Sequence, residues 1–154
     1  MDEWGEDDRV LEAVERGDVA AARTLLEAGA NPHFDSWGCS LIGEALDRRD
    51  GAMARLLLEF GAVLGEVGED GRHPIHRAAA AGPDPWVLEF LLELGHDPNV
   101  TDQHGWTPLH AAAAYGATRA AERLLAAGAD PSAVTHEGKT PADLAAVNGR
   151  DWPL

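Results

Sequence analysis

The chain has 154 residues, enough for one modest domain, and 45% of them are apolar, enough for a folded core. Its 27 acidic residues outweigh 12 Lys and Arg and leave a net charge of −15, which argues against nucleic acid and anionic membrane as partners because both need cations to displace counterions. One cysteine, Cys39, excludes an intramolecular disulfide and points to a reducing compartment; the acidic start around Met1 and Asp2 lacks the basic opening of a signal peptide, and no run is long and apolar enough for a membrane span, so a cytoplasmic location is expected.

Taken in order, the chain falls into similar segments. Residues 1–34 hold two short helical patterns. Asp7 and Asp8 precede Val10, Leu11 and Val14, placing acids at the positive end of a first helix. Gly17-Asp18 breaks it, a second helix runs from Val19 to Ala28, and Gly29 closes it. Trp4 is expected to fold over the exposed end. In residues 35–67, Ser40 can cap a helix but no proline follows, so this start is the least well specified; Met53 to Phe60 then forms a helix that Gly61 stops.

Residues 68–101 open with Gly71-Arg-His-Pro-Ile-His, with His73 at the capping position. The loop Gly82-Pro-Asp-Pro-Trp is one residue longer than its counterparts; Asp84 reads as a helix cap and Pro85 as the first helical residue, followed by Val87 to Leu94 and the stop at Gly95. Trp86 in this insertion is either a second contact point or, preferably, helix packing. Residues 102–134 are the best-formed segment. Thr107 caps a helix, and Pro108 suits its first turn, where no N–H donor is needed. Ala111 to Ala114 admit a close neighbour and Gly116 ends the helix; Ala117 to Ala127 forms the next, with Leu124 and Leu125 on its buried side, and Gly128 stops it. Residues 135–154 give a half-segment in which Thr140-Pro141 starts a helix and the second helix is missing. Trp152 and Leu154 are expected to cover the last apolar face.

Two glycine ladders tie the segments together. Gly38, Gly71, Gly105 and Gly138 each stand before a helix start, spaced 33, 34 and 33; Gly29, Gly61, Gly95 and Gly128 each close a second helix, spaced 32, 34 and 33. With the Thr107-Pro-Leu-His110 run, this turn–helix–loop–helix unit closely resembles the ankyrin repeat over nearly the whole chain. The resemblance implies an all-α solenoid of four repeats plus a C-terminal half-repeat, with short β-hairpin-like turns on one edge, as a single domain spanning residues 1–154. It also implies that His76 and His110, at the signature position, hydrogen-bond the backbone of a neighbouring turn.

Other motifs are weaker. Ala133 to Thr140 fits a loose phosphate-loop pattern, but the same residues fall on the repeat register, no buried strand precedes them, and Glu137 would repel phosphate. His73 and His76 have a metal-like spacing without a third ligand. Glu69-Asp70 is a carboxylate pair on a turn tip with no pocket for acid–base work. No cofactor, metal or catalytic residue is therefore expected.

The informative residues are those the repeat leaves free. In the resembled family the turn tips and the exposed side of the first helix line a concave surface. On that register the candidate protein-binding residues are Asp35, Trp37, Asp47, Arg48, Glu69, Asp70, Arg72, His104, Trp106 and Tyr115. Trp37, Trp106 and Tyr115 are aromatic anchors, unless the rings pack against neighbouring turns. Residues 1–101 carry 21 acidic against 8 basic groups, a net of −13, while residues 102–154 carry 6 against 4, a net of −2. The field points to a basic protein partner, although solubility is the plainer explanation. The expected function is non-catalytic protein binding by a monomer. An inhibitor or toxin-neutralising immunity protein is the sharper version, a scaffold or assembly subunit the alternative, and an enzyme a distant third.

Overall fold

The computed structural model describes residues 5–36 and 39–152, with the backbone alone at Asp35, Ser36 and Cys39. Trp4, Trp37 and Leu154, to which the sequence assigns roles, lie outside the described residues. Among the described residues the fold is all-α apart from one two-residue hairpin: Asp35–Ser36 (β1) pairs antiparallel with Cys39–Ser40 (β2), Asp35 opposite Ser40. The chain divides into two compact units, Met1–Leu64 and Gly65–Leu154.

The first unit holds α1 (Glu6–Arg16), α2 (Val19–Glu27), α3 (Leu41–Asp47) and α4 (Gly51–Glu59). Each helix packs on its partner in the pair, and α1 stacks on α3 as α2 does on α4. Glu6, Asp7 and Asp8 occupy the first turn of α1. Asp18 and Asp50 cap α2 and α4 by accepting the N–H groups of Ala21 at 3.0 Å and Met53 at 2.9 Å. Val10, Val14, Leu26, Leu41, Met53 and Leu57 form the core, all buried.

The second unit holds α5 (Pro74–Ala80), α6 (Trp86–Glu93), α7 (Pro108–Tyr115), α8 (Thr118–Ala126) and α9 (Pro141–Val147). Here α5, α7 and α9 stack side by side, with α6 behind α5 and α8 behind α7. The alanine run explains the close stack: Ala111, Ala112 and Ala113 are all buried between neighbours. Leu88, Leu91, Leu109 and Leu124 fill the space between layers, each contributing on the order of 2 kcal/mol by burial. Leu125, placed on the buried side by the sequence pattern, is only half-buried.

Two helix starts differ from the sequence reading. Helix α6 begins at Trp86, with Pro85 rather than Asp84 at the cap; Asp84 still accepts the Trp86 N–H at 3.2 Å from just outside the helix. Helix α8 begins after Ala117, which has no side-chain acceptor. The last half-repeat has no second helix among the described residues, and Trp152 is half-buried there.

Candidate protein-binding surface

The second unit presents three turn tips of common design: residues 68–72, 102–106 and 135–139. In each, the first N–H donates to the carbonyl four residues on: Gly68 to Arg72 at 3.0 Å, Asp102 to Trp106 at 2.9 Å and Thr135 to Lys139 at 2.9 Å. Adjacent tips are joined through backbone, with Gln103 N–H donating to Asp70 O at 3.2 Å and His136 N–H to His104 O at 3.0 Å. Gly71 shows why the ladder glycine is needed. Its φ is +74°, and a Cβ there would stand 2.8 Å from the Gln103 backbone nitrogen.

Polar side chains fill each turn from below. Asp102 Oδ1 accepts the N–H groups of His104 at 2.8 Å and Trp106 at 2.9 Å. Thr135 Oγ1 does the same for Glu137 at 3.3 Å and Lys139 at 3.2 Å. Gly68, at the equivalent position, has no side chain, and Asp70 Oδ1 instead accepts the Arg72 N–H at 3.1 Å. In the loops after α6 and α8, the Asn99 amide clasps the next repeat, donating to Gly128 O at 3.0 Å and accepting the Asp130 N–H at 2.8 Å.

Two buried imidazoles tie the tips to the helices. His76 Nδ1 accepts the His73 backbone N–H at 3.1 Å, and its Nε2 lies 2.8 Å from Trp106 O. His110 Nδ1 accepts the Thr107 N–H at 3.1 Å, and its Nε2 lies 3.0 Å from Lys139 O. An N–H can only donate and a carbonyl can only accept, so both rings are neutral with the proton on Nε2. His73 caps α5 by position alone; its imidazole makes no capping bond. Burial lowers the pKa of both rings and outweighs the carbonyls and the Asp102 charge, which act the other way. With both nitrogens engaged, His76 has no lone pair to offer a metal. No group of three or more His, Cys, Asp or Glu able to hold a metal ion occurs among the described residues.

Asp102 is also the electrostatic centre of its tip. Its side chain is buried, with Oδ2 receiving no hydrogen bond but lying 3.5 Å from Arg72 Nε. Burial pushes its pKa up, but the N–H groups of Trp106 and His104, then His76 and Arg72, more than reverse this and hold the carboxyl below its ordinary value. The Arg72 Nε is also 3.4 Å from Asp70 Oδ2, and the guanidinium lies 5.7 Å from the centre of the Trp106 ring.

The structure thus brings Asp70, Arg72 and Trp106 into one cluster. Trp106 and Asp70 are half-buried and Glu69 and His104 exposed. Tyr115 is 57% exposed at the other end of α7, roughly 11 Å along the axis from its start. Asp47 and Arg48 are exposed at the end of α3, where Arg48 Nη1 is 3.5 Å from Glu44. Trp86 stacks on Phe90 of its own helix, centroids 5.6 Å apart. The phosphate-loop-like residues 133–140 form a turn tip and the cap of α9, where Thr140 Oγ1 accepts the Asp143 N–H at 3.2 Å. Sequence reasoning missed Asp102, although its place three residues before Gly105, matching Thr135 before Gly138, is a turn-forming signal.

Stacked helix pairs carrying free side chains on stiff tips define a class of repeat protein built to present a surface. The chain belongs to the ankyrin repeat family, whose three-copy model matches residues 10–102 and again 75–152. It is an interaction module of that family. Segments of it are similar to mouse "Protein phosphatase 1 regulatory subunit 12A", 45% identical over 56 residues, 36% of this chain and 5% of that one. Mouse "NF-kappa-B inhibitor delta" is 50% identical over 46 residues, 30% of this chain and 14% of that one. Mouse "RelA-associated inhibitor" is 40% identical over 50 residues, 32% of this chain and 6% of that one. Each match therefore spans only a small part of the relative's length. No helix among the described residues is long and apolar enough to cross a membrane.

Proposed function

We propose that the chain binds a basic protein partner through its turn tips and the ends of its first helices, and that binding inhibits the partner. The observation that carries this reading is the division of labour within the tips. Backbone bonds, Asp102, Thr135 and the two imidazoles build the turns, so Glu69, His104 and Tyr115 stay outside the construction. Side chains that a fold does not use are free for recognition, and aromatic and arginine anchors dominate interface energy. In the second unit Asp70, Arg72 and Trp106 form the anchor; in the first unit the contacts are Asp35, Asp47 and Arg48, and Trp37 belongs with them by register. A basic partner fits the overall charge of −15. Inhibition is favoured over scaffolding by the printed names of two relatives, "NF-kappa-B inhibitor delta" and "RelA-associated inhibitor". Binding is non-catalytic, by a cytoplasmic monomer.

The test is affinity purification from the native host with wild type and with a Glu69→Gln, Trp106→Ala, Tyr115→Ala triple variant. A basic protein retained by wild type and lost by the variant supports the reading, and inhibition is then assayed on that protein. Equal retention by both would move the binding surface elsewhere.

A further inference from the structure

The tips that carry the candidate contacts are held to the helices by two titratable groups. His76 on α5 bridges its own helix start to the carbonyl of Trp106. His110 on α7 bridges its helix start to the carbonyl of Lys139. Each bridge exists only in the neutral ring, because Nδ1 must accept from a backbone N–H that has no other role. A second proton would go to Nδ1 and set two donors face to face about 3.1 Å apart. Both rings are at most 1% exposed, so water cannot step in without the helix start or the tip moving.

We propose that His76 and His110 are proton-operated latches: in mild acid their protonation releases the tips ending at Trp106 and Lys139, and the surface lets its partner go. The release of a partner rests on the reading of these tips as its contact; the latch itself does not.

The groups facing the rings set the order of events. Around His76 stand Asp102 from the next tip, which attracts a proton, and Arg72 and His73 from its own segment, which repel one. Around His110 stand Asp102, which attracts, and His76, which repels, with the carbonyls of Lys139 and Ala133 as acceptors. The helix starts differ more. Thr107 Oγ1 lies 2.9 Å from His110 Nδ1, and a hydroxyl can turn from donor to acceptor and take the new N–H. His73 offers no hydroxyl there, and its ring centre stands 6.0 Å from that of His76. The His76 latch therefore opens first, freeing tip 102–106 before tip 135–139.

The sign of the pH dependence follows from burial. A released histidine titrates near 6.5, whereas burial lowers both rings in place, so the released state binds more protons in the window below 6.5. Closure is strongest above that value. It weakens as pH falls, by about tenfold in the open population per pH unit per histidine, until the ring titrates in place.

The experiment uses the full chain alone. Imidazole NMR titration from pH 8 to 4.5 should show His76 and His110 as Nε2–H tautomers at neutral pH, titrating below the ordinary histidine value. Hydrogen exchange, corrected for intrinsic rate, should show protection lost first at residues 102–107, then at 135–140, with residues 5–27 unaffected. His76→Gln keeps an acceptor and a donor without a titrating proton, so acid loosening of residues 102–107 should vanish; His33→Gln should change nothing. Should His76→Gln not fold, the wild-type titration and exchange decide alone. Buried rings that titrate at or above the ordinary histidine value, or tips whose protection is flat from pH 7.5 to 5, overturn the proposal. A failed partner capture with an intact pH response would instead count against the binding reading alone.

Discussion

The starts of α3 and α7 occupy equivalent register positions and are built differently. At α7, Thr107 and His110 cap each other, and the imidazole goes on to reach Lys139 in the next tip. At α3, Gly43 stands where the imidazole would be, and the cap is a single bond from Gly43 N–H to Ser40 Oγ at 3.1 Å. One side chain in α7 thus serves the helix end and the stacking of repeats together; the Ser40 cap of α3 serves the helix end. The start of α9 is intermediate in build. Asp143 accepts the Thr140 N–H at 2.9 Å, and Thr140 Oγ1 accepts the Asp143 N–H at 3.2 Å, a reciprocal cap made by a carboxylate. Capping and stitching are joined in one imidazole at His76 and at His110.

The comparison breaks most visibly at the tip glycines. Gly71→Val forces a branched residue into a positive φ and drives its Cβ against the Gln103 backbone, and should cost about 3 kcal/mol in urea unfolding. Gly138→Val keeps the same φ problem with nothing within 4 Å of the new Cβ, and should cost about 1–2 kcal/mol. Equal costs at the two sites would mean that close approach of the tips contributes nothing. Next comes the stitch itself. His110→Ala leaves the buried Thr107 N–H without its acceptor and the Lys139 carbonyl with the Thr135 N–H alone, and should cost about 2 kcal/mol. Ser40→Ala removes one bond from a less elaborate start and should cost about 1 kcal/mol. If the two substitutions matched, the bond from His110 to the next tip would carry no weight.

Helix starts and stops were legible where the requirement is local. Proline at the first helical position, a hydroxyl or carboxylate at the cap and glycine at positive φ each act within one turn of chain. Thr107-Pro108 and Gly128 could therefore be read one residue at a time, whereas Asp18, read as a break, also caps α2. Helix α6 was misplaced by a residue because Asp84 and Pro85 both suit a helix start, and only packing decides between them. What the sequence could not reveal is what crosses between repeats. Nothing local says that Asn99 will clasp Gly128 and Asp130, or that the Arg72 guanidinium will sit over Trp106 beside Asp102. Trp106 reads as a free anchor in the sequence, and in the structure it is half-buried with a cation over its ring. The candidate surface was thus legible as a set of positions, while its electrostatics depended on the stack.

The smallest expected effect on stability sharpens the comparison furthest. Tyr115 ends the well-built α7 but is 57% exposed, and nothing in its helix start or stitch depends on it. Tyr115→Ala should therefore change unfolding free energy by no more than about 0.5 kcal/mol. At an interface the same ring should matter far more, with truncation of a central aromatic costing about 2 kcal/mol, seen mostly as faster dissociation. Exposed Glu69 should behave in the complementary way. Glu69→Gln should leave stability and dissociation nearly unchanged but slow association with a basic partner, because long-range attraction acts before contact. That slowing should fade as salt rises and the screening length falls from about 10 Å at 0.1 M to about 3 Å at 1 M. Surface plasmon resonance across that range separates the two roles. If Tyr115→Ala lowered the melting temperature markedly while leaving dissociation alone, the ring would belong to the helix stack. A Glu69→Gln on-rate equal to wild type at low salt would confine the acidity to solubility.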